Sequence, residues 1–315
     1  MDVLSDAVAA MRTGVPHASR THLTPPWGTR FQPQDGAGFH AILQGSCWLL
    51  PARGEPIRLD SGDIAFLPRE LGHAITDTRH TPPTAAGPAR PAEPVTRDTE
   101  PALRGIGTTM LCGAYRLDRS RIHPLLAEMP DVVHLRAHAG ANASLRGAVN
   151  LLDRELTTEP LPGSSSVVSA LLEVLLLLIL RTWHDEQTQH TGTGWGAALR
   201  DPAVAAALRA IHRDPAHPWT VQSLAAHAGL SRSSFAQRFT ATVGSPPLAY
   251  LTWWRLTTAA RTLRDTALPL RSVAERAGYT SEYAFAKAFK REFDTAPGQY
   301  RNTPSSLARQ ADLVR

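Results

Sequence analysis

The sequence predicts a two-domain chain of the α+β class. An N-terminal β-barrel with an attached helical pair precedes an all-α C-terminal domain holding two helix-turn-helix motifs. Three observations predict it. Short strand-like runs broken by turn residues fill residues 19–117, helical periodicity takes over from residue 143, and one C-terminal segment occurs twice. The boundaries read from these signals are 1–135 for the β-rich domain and 136–190 for a helical connector. The helix-turn-helix domain follows at 197–303, with a tail at 304–315.

In the first part, Phe39-His-Ala-Ile-Leu and Cys47-Trp-Leu-Leu read as strands separated by Gln44-Gly-Ser. Ile57-Arg-Leu alternates, Ser61-Gly-Asp turns, and Ile64-Ala-Phe-Leu stops at Pro68. The stretch Thr81–Pro101 is rich in Pro, Ala and Thr without periodicity, the signature of a mobile inserted loop. Strand character returns at Thr108–Leu117. Beyond it, Ala143–Leu156 is an amphipathic helix and Val167–His184 a strongly apolar one. Leu171, Leu172, Leu175, Leu178 and Ile179 share a face of the second helix, while Leu176, Leu177 and Leu180 widen it. Burial in its own domain and a homodimer interface both fit that pattern. Glu186–Gly196 reads as the linker.

With 43% apolar and 19% charged residues, the 315-residue chain can bury two cores, which excludes wholesale disorder. Cys47 and Cys112, the two cysteines, cannot build a disulfide framework. The N-terminus lacks a charged-then-apolar signal pattern, and the apolar run Val167–Leu180 is shorter than the roughly 20 residues of a membrane span. The chain is read as cytoplasmic, with no membrane partner. Residues 200–303 carry 14 Lys and Arg against 7 Asp and Glu, so the positive charge gathers where a nucleic-acid partner would need it.

The repeat aligns Leu224–Phe239 with Val273–Phe289. Ala225, Ala228 and Gly229 match Ala274, Ala277 and Gly278 at an offset of 49, and Phe235 and Phe239 match Phe285 and Phe289 at 50. The second copy therefore gains one residue after the turn. The alanines allow close helix approach, the glycines end the first helix, and Ser231 and Thr280 or Ser281 cap the second. Projected at 100° per residue, the face opposite the phenylalanines holds Ser233, Gln237 and Thr240 with Ala236 at its edge, and in the second copy Tyr283, Lys287 and Lys290. These are the candidate readers of double-stranded DNA: Gln suits adenine, and Lys suits guanine or phosphate. Arg232 and Arg238 flank the first face as candidate phosphate contacts, and Glu282 opens the second helix. Leu248–Arg264, an unbroken helical pattern, would hold the two heads apart.

From Asp201 to Arg301, including Trp254-Arg-Leu and the closing Phe293-Asp-Thr-Ala-Pro-Gly-Gln-Tyr-Arg, the sequence resembles the AraC/XylS family of transcription regulators. The resemblance implies sequence-specific DNA binding, transcription activation through RNA polymerase, and reading helices at Arg232–Thr240 and Glu282–Lys290. Gly62-Asp-Ile-Ala-Phe-Leu-Pro-Arg-Glu-Leu-Gly-His resembles the second cupin motif, and Trp27-Gly, Phe39-His and Gln44–Leu49 resemble the cupin-like sensor domains fused to one branch of that family. The usual His-X-His and Glu of the first cupin motif are absent; only His40 stands there.

For the N-terminal domain several readings stay open. His40, His73 and Cys112, with His22 as a fourth ligand, would make a tetrahedral zinc site, and core histidines are the plainer alternative. Cys112, partnered by Cys47, could instead be a redox-sensing thiol for an oxidant, or both could be buried and inert. A small-molecule effector could lie between Trp27, Phe39 and Trp48. No catalytic residues are assigned; the competing reading is a cupin-type metalloenzyme with a DNA-binding tail, against which the missing first-motif ligands count.

Overall fold

The computed structural model describes residues 2–85, 107–117, 123–137, 142–159, 161–188 and 194–302. They fall into two compact units: Gly14–Arg119 with Met129–Glu186, and Met1–Thr13 with Ser120–Glu128 and Gln187–Arg315.

The first unit is built on two five-stranded sheets. One has the order β1 (His17–Leu23), β9 (Thr108–Tyr115), β3 (Ala37–Gln44), β6 (Ile64–Leu67), β10 (Val133–Leu135). The other runs β5 (Ile57–Asp60), β4 (Ser46–Pro51), β7 (His73–Thr76), β2 (Gly28–Phe31), β8 (Thr84–Ala85). Pairing is antiparallel except for β2 with β8. Strand side chains alternate between faces, so Ile42, Cys47, Leu49, Leu59, Ala65, Ile75 and Met110 meet Trp27 in the core between the sheets. β3 is buried on both faces, which explains its continuous rather than alternating apolar character.

Helices α3 (Ala143–Thr157) and α4 (Ser164–Thr188) belong to this unit. Arg20 of β1 pairs with Asp153 of α3 at 2.8 Å, and the buried Tyr115 hydroxyl donates to the Leu172 carbonyl of α4 at 3.0 Å. Leu172, Leu175, Leu176, Ile179 and Leu180 are buried, whereas Val167 and Val174 remain 44% and 47% exposed. The apolar run judged too short for a membrane continues as a 25-residue helix. By length and composition alone it could cross one, because the helix is longer than the run and keeps an apolar window within it, a test that the core helix of a soluble domain passes equally. Of the inserted stretch Thr81–Pro101, residues 84–85 form β8 and residues 86–101 lie outside the described residues, as does the tail from 304.

The second unit is helical and takes in more of the chain than the sequence boundaries gave it. α1 (Val3–Met11), capped by the Asp2 carboxylate accepting from Ser5 N–H, buries Val3, Leu4, Ala7, Val8, Ala10 and Met11. It packs on α6 (Pro202–Arg213) and α9 (Pro247–Asp265) and so groups with the helical unit, whereas the range 1–135 counts it with the β-rich domain. Asp6 lies 3.5 Å from Nδ1 of the buried His212. α2 (Pro124–Ala127) also joins this unit: its capping His123 sits 4.7 Å from the Trp195 ring and 5.1 Å from Trp253. α1 finds its apolar burial beside α6 and α9, and α2 its ring contacts on Trp195 and on Trp253 of α9. The linker read at Glu186–Gly196 is shorter at both ends, since α4 runs to Thr188 and α5 (Trp195–Arg200) starts before it closes; residues 189–193 lie outside the described residues.

Candidate nucleic-acid interface and sensor site

Two helix-turn-helix units flank α9. The first is α7 (Val221–His227) with α8 (Arg232–Val243), the second α10 (Leu270–Arg276) with α11 (Glu282–Phe293). Both turns close the same way. Leu230 N–H donates to the Ala225 carbonyl and Gly229 N–H to Ala226, and the second copy repeats this with Tyr279 to Ala274 and Gly278 to Glu275. This pair of bonds needs a left-handed residue, supplied by Gly229 at φ +69° and Gly278 at φ +75°. Ser231 and Ser281 cap the second helices by accepting from Ser234 and Ala284 N–H. The buried phenylalanine pairs are near-duplicates: Phe235 and Phe239 have ring centroids 5.5 Å apart at 55°, Phe285 and Phe289 5.5 Å apart at 54°. The residue gained by the second copy lies in the turn, which spans 277–281 against 228–231.

With the phenylalanines inward, the outward faces are those the projection gave. Arg232, Ser233, Gln237 and Thr240 are exposed and Ala236 half-buried; Glu282, Lys287 and Lys290 are exposed, and Tyr283 is 79% exposed. Thr240 Oγ1 donates back to the Ala236 carbonyl at 2.8 Å, leaving its oxygen turned to solvent as an acceptor. The first face is thus short, neutral and rich in hydrogen-bonding groups, the second long and cationic.

In the barrel, strand parity points His40, His73 and Cys112 into the core. They form a chain rather than a cage. Cys112 Sγ lies 3.0 Å from His40 Nδ1, His40 Nε2 lies 2.8 Å from His73 Nε2, and His73 Nδ1 lies 2.8 Å from Glu70 Oε1. The Phe31 ring stacks on His73 at 4.7 Å. Burial, and then the neighbouring His73, hold the His40 imidazole well below its usual range. Burial also pushes both thiols up to about 12, reinforced at Cys47 by Asp60 and Asp63 and at Cys112 by Cys47. A neutral His40 has one ring N–H to give, so it can donate to only one of its two neighbours, Cys112 Sγ or His73 Nε2, and accepts from the other.

This corrects the readings of the N-terminal domain. The set His22, His40, His73 and Cys112 does not assemble, and among the described residues no group of three or more His, Cys, Asp or Glu could hold a metal. Cys112 addresses the ring nitrogen of His40 that faces away from His73, and His22 is bonded to Thr109 Oγ1 at 2.9 Å. Zinc does not fit these residues. For the redox reading, Cys47 and Cys112 are free thiols, the first buried and the second half-buried; neither has a cation among its stated neighbours, and burial disfavours the thiolate of both. As walls for one ligand the three aromatics do not come together: Trp27 lies in the core between the sheets, Phe39 is buried on the opposite face of β3 from His40 with its ring 5.9 Å from Tyr115, and Trp48 is half-buried on the face of β4 opposite to Cys47.

Comparison with known proteins accounts for nearly the whole chain. A family model described as cupin matches residues 2–185, and one described as helix-turn-helix domain matches 224–303. An AraC-like transcription regulator of Streptomyces lividans is 36% identical over 97% of this chain and 99% of its own length. The chain belongs to the AraC-like family of transcription regulators. A second such regulator, of Streptomyces antibioticus, is 36% identical over 96% of this chain and 99% of its own. The RCS-specific transcriptional activator RclR of Escherichia coli is 32% identical over 89% and 92%. Among solved structures, the DNA-binding domain of AdpA in complex with a target DNA is 32% identical, over 35% of this chain and 97% of that one, at a TM-score of 0.32.

This is a DNA-binding transcription regulator with a cupin N-terminal domain, and its relatives are regulators rather than metalloenzymes. Within its interface one assignment changes. Arg238 Nε is bonded to Asp201, whose other oxygen caps α6 by accepting from Ala203 and Val204 N–H at 3.0 and 3.2 Å. Arg238 therefore fastens α8 to the start of α6 and is not a freely offered phosphate contact. Two contributors were missed in the sequence. Glu70 lay inside the quoted cupin motif, three residues before His73, and Asp201 precedes Pro202 in the pattern of a helix cap followed by proline.

Proposed function

We propose that α8 and α11 enter successive major grooves of double-stranded DNA and read it with different chemistry. Gln237, Ser233 and Thr240 address base edges in the first groove; Tyr283, Lys287 and Lys290 combine base and phosphate contacts in the second. The observation carrying this reading is the duplicated geometry: two turns closed by the same pair of hydrogen bonds and two matching phenylalanine pairs leave equivalent helix faces exposed. Arg232 supplies a phosphate contact at the first head.

The regulator works in the cytoplasm as a homodimer paired through α4, where the exposed Val167 and Val174 form one stripe with the half-buried Leu171 and Leu178. Its barrel receives a signal, a small molecule or an oxidant, and the protein activates transcription with RNA polymerase. A signal can do this only by favouring one arrangement of the protein over another.

The test is a pull-down of genomic DNA fragments with the full-length protein, read by sequencing, followed by Gln237→Ala and Lys287→Ala on the recovered site. A site with two short elements about one helical turn apart is expected. Each variant should lose about 1–3 kcal/mol of preference at its own element. Variants that select the same sequence as the parent would refute the assignment of readers.

A further inference from the structure

The two heads are not joined by α9 alone. The first half of α9, with Tyr250, Leu251 and Trp254, is buried; the second half contributes Leu256, Ala259, Ala260 and Leu263 to the core formed with Val273, Ala274, Ala277, Phe285 and Phe289 of the second copy. Arg255 stands between these halves. Its Nε donates to the Pro215 carbonyl at 2.6 Å and its Nη2 to the His217 carbonyl at 2.8 Å, both in the loop that leads from α6 into the first helix-turn-helix. That loop is itself braced, with His217 N–H on Asp214 Oδ1 at 3.0 Å and Trp219 Nε1 on the Asp214 carbonyl at 3.0 Å.

The turn of the second copy closes on the same place. A β-carbon at Gly278 would lie 2.8 Å from Arg255 Nη2 and 2.9 Å from both Cα and the carbonyl oxygen of Ala216. The equivalent Gly229 has the same left-handed backbone, yet a β-carbon there would meet nothing within 4 Å. One glycine of the repeat thus serves its turn only, while the other also admits a close contact between the copies. The guanidinium suits this role because its planar fork holds two carbonyls in one orientation.

We propose that Arg255 is a positioning residue that locks the first copy's loop against the second copy's turn, so that the separation of the two DNA elements becomes part of what the protein recognises. This rests on the reading that both α8 and α11 contact DNA. A free hinge would tolerate an altered separation; a locked pair would not, because each added base pair both displaces and rotates one element relative to the other.

The test uses full-length protein and a two-element duplex selected by the parent chain from random-sequence DNA. It compares that duplex with versions carrying one base pair more or fewer between the elements, and with a duplex keeping only the element contacted by α8. The parent should prefer its own spacing by about tenfold or more. Arg255→Ala should lose most of that preference while keeping its single-element affinity within about twofold. Gly278→Ala should also relax spacing and Gly229→Ala should not, although both strain the same left-handed backbone. Unchanged spacing preference in Arg255→Ala, or equal behaviour of the two glycine variants, would overturn the proposal. So would a loss of single-element affinity in Arg255→Ala, which would make the residue a support of the first head alone. A parent that binds one element as well as two would instead overturn the two-headed reading, and the proposal with it.

Discussion

The contrast between Arg238 and the other basic residues of the reading helices can be measured through salt. Lys287 and Lys290 are exposed on α11, and Arg232 on α8, whereas Arg238 is held by the carboxylate that caps α6. Each phosphate neutralised by a cation contributes about 0.9 to the slope of log affinity against log salt. Replacing both lysines by alanine should therefore lower that slope by about 1.8, so that between about 50 and 200 mM salt the parent loses about tenfold more affinity than the variant. Arg232→Ala should lower it by about 0.9. Arg238→Ala should leave it nearly unchanged, because that charge is already matched within the protein. Fluorescence anisotropy of a labelled duplex across a salt series gives the slopes directly. If Arg238→Ala falls as far as Arg232→Ala, or if the double lysine variant keeps the parent's slope, the division of labour drawn from the ion pair is wrong.

Further outcomes follow from burial and packing. Phe285→Ala, which empties a fully buried site between Phe289 and Tyr279, should destabilise the helical unit by about 3–5 kcal/mol in chemical denaturation; a loss below 1 kcal/mol would mean that the site collapses or is not core. The His40 imidazole is held well below 6.5 in the folded barrel, so the unfolded chain binds the proton first as pH falls. Stability should therefore decline below pH 6.5, levelling once the folded form is also protonated, and His40→Gln should flatten that decline. Urea denaturation across pH would contradict this if parent and variant ran parallel. Val174→Glu should turn a dimer into a monomer in light scattering without unfolding it; an unchanged mass would remove α4 as the interface.

The helix-turn-helix half was legible because its repeat states the same physics twice. A glycine at each turn and two phenylalanines four residues apart fix which side of each second helix faces inward, and the reading faces follow by elimination. The barrel was less legible. The cupin-like motif brought out His40 and His73, but which nitrogen meets which partner depends on strand register and ring rotation, so a ligand cage was expected where a hydrogen-bonded chain exists. Phe39 and His40 are neighbours on one strand, so although both are buried they face opposite sides of β3 and cannot line the same cavity, a parity that local composition does not reveal. α1 carried no linker or motif signal to separate it from the domain that follows. Arg255 was visible as the basic residue after two tryptophans, but its partners are main-chain carbonyls some 40 residues away, and carbonyls leave no trace in side-chain pattern.

The packing of α1 on α6 and α9 has a consequence for synthesis. At ribosomal rates of roughly 5–20 residues per second, the partners of α1 arrive about 10–50 s after it. In that interval the barrel and its helical pair can be completed, while α1 waits with its apolar side chains uncovered. The DNA-binding unit is the last to close, and it closes on a segment made before the sensor, so a nascent chain cannot acquire a complete grip on an operator until its whole regulatory half exists.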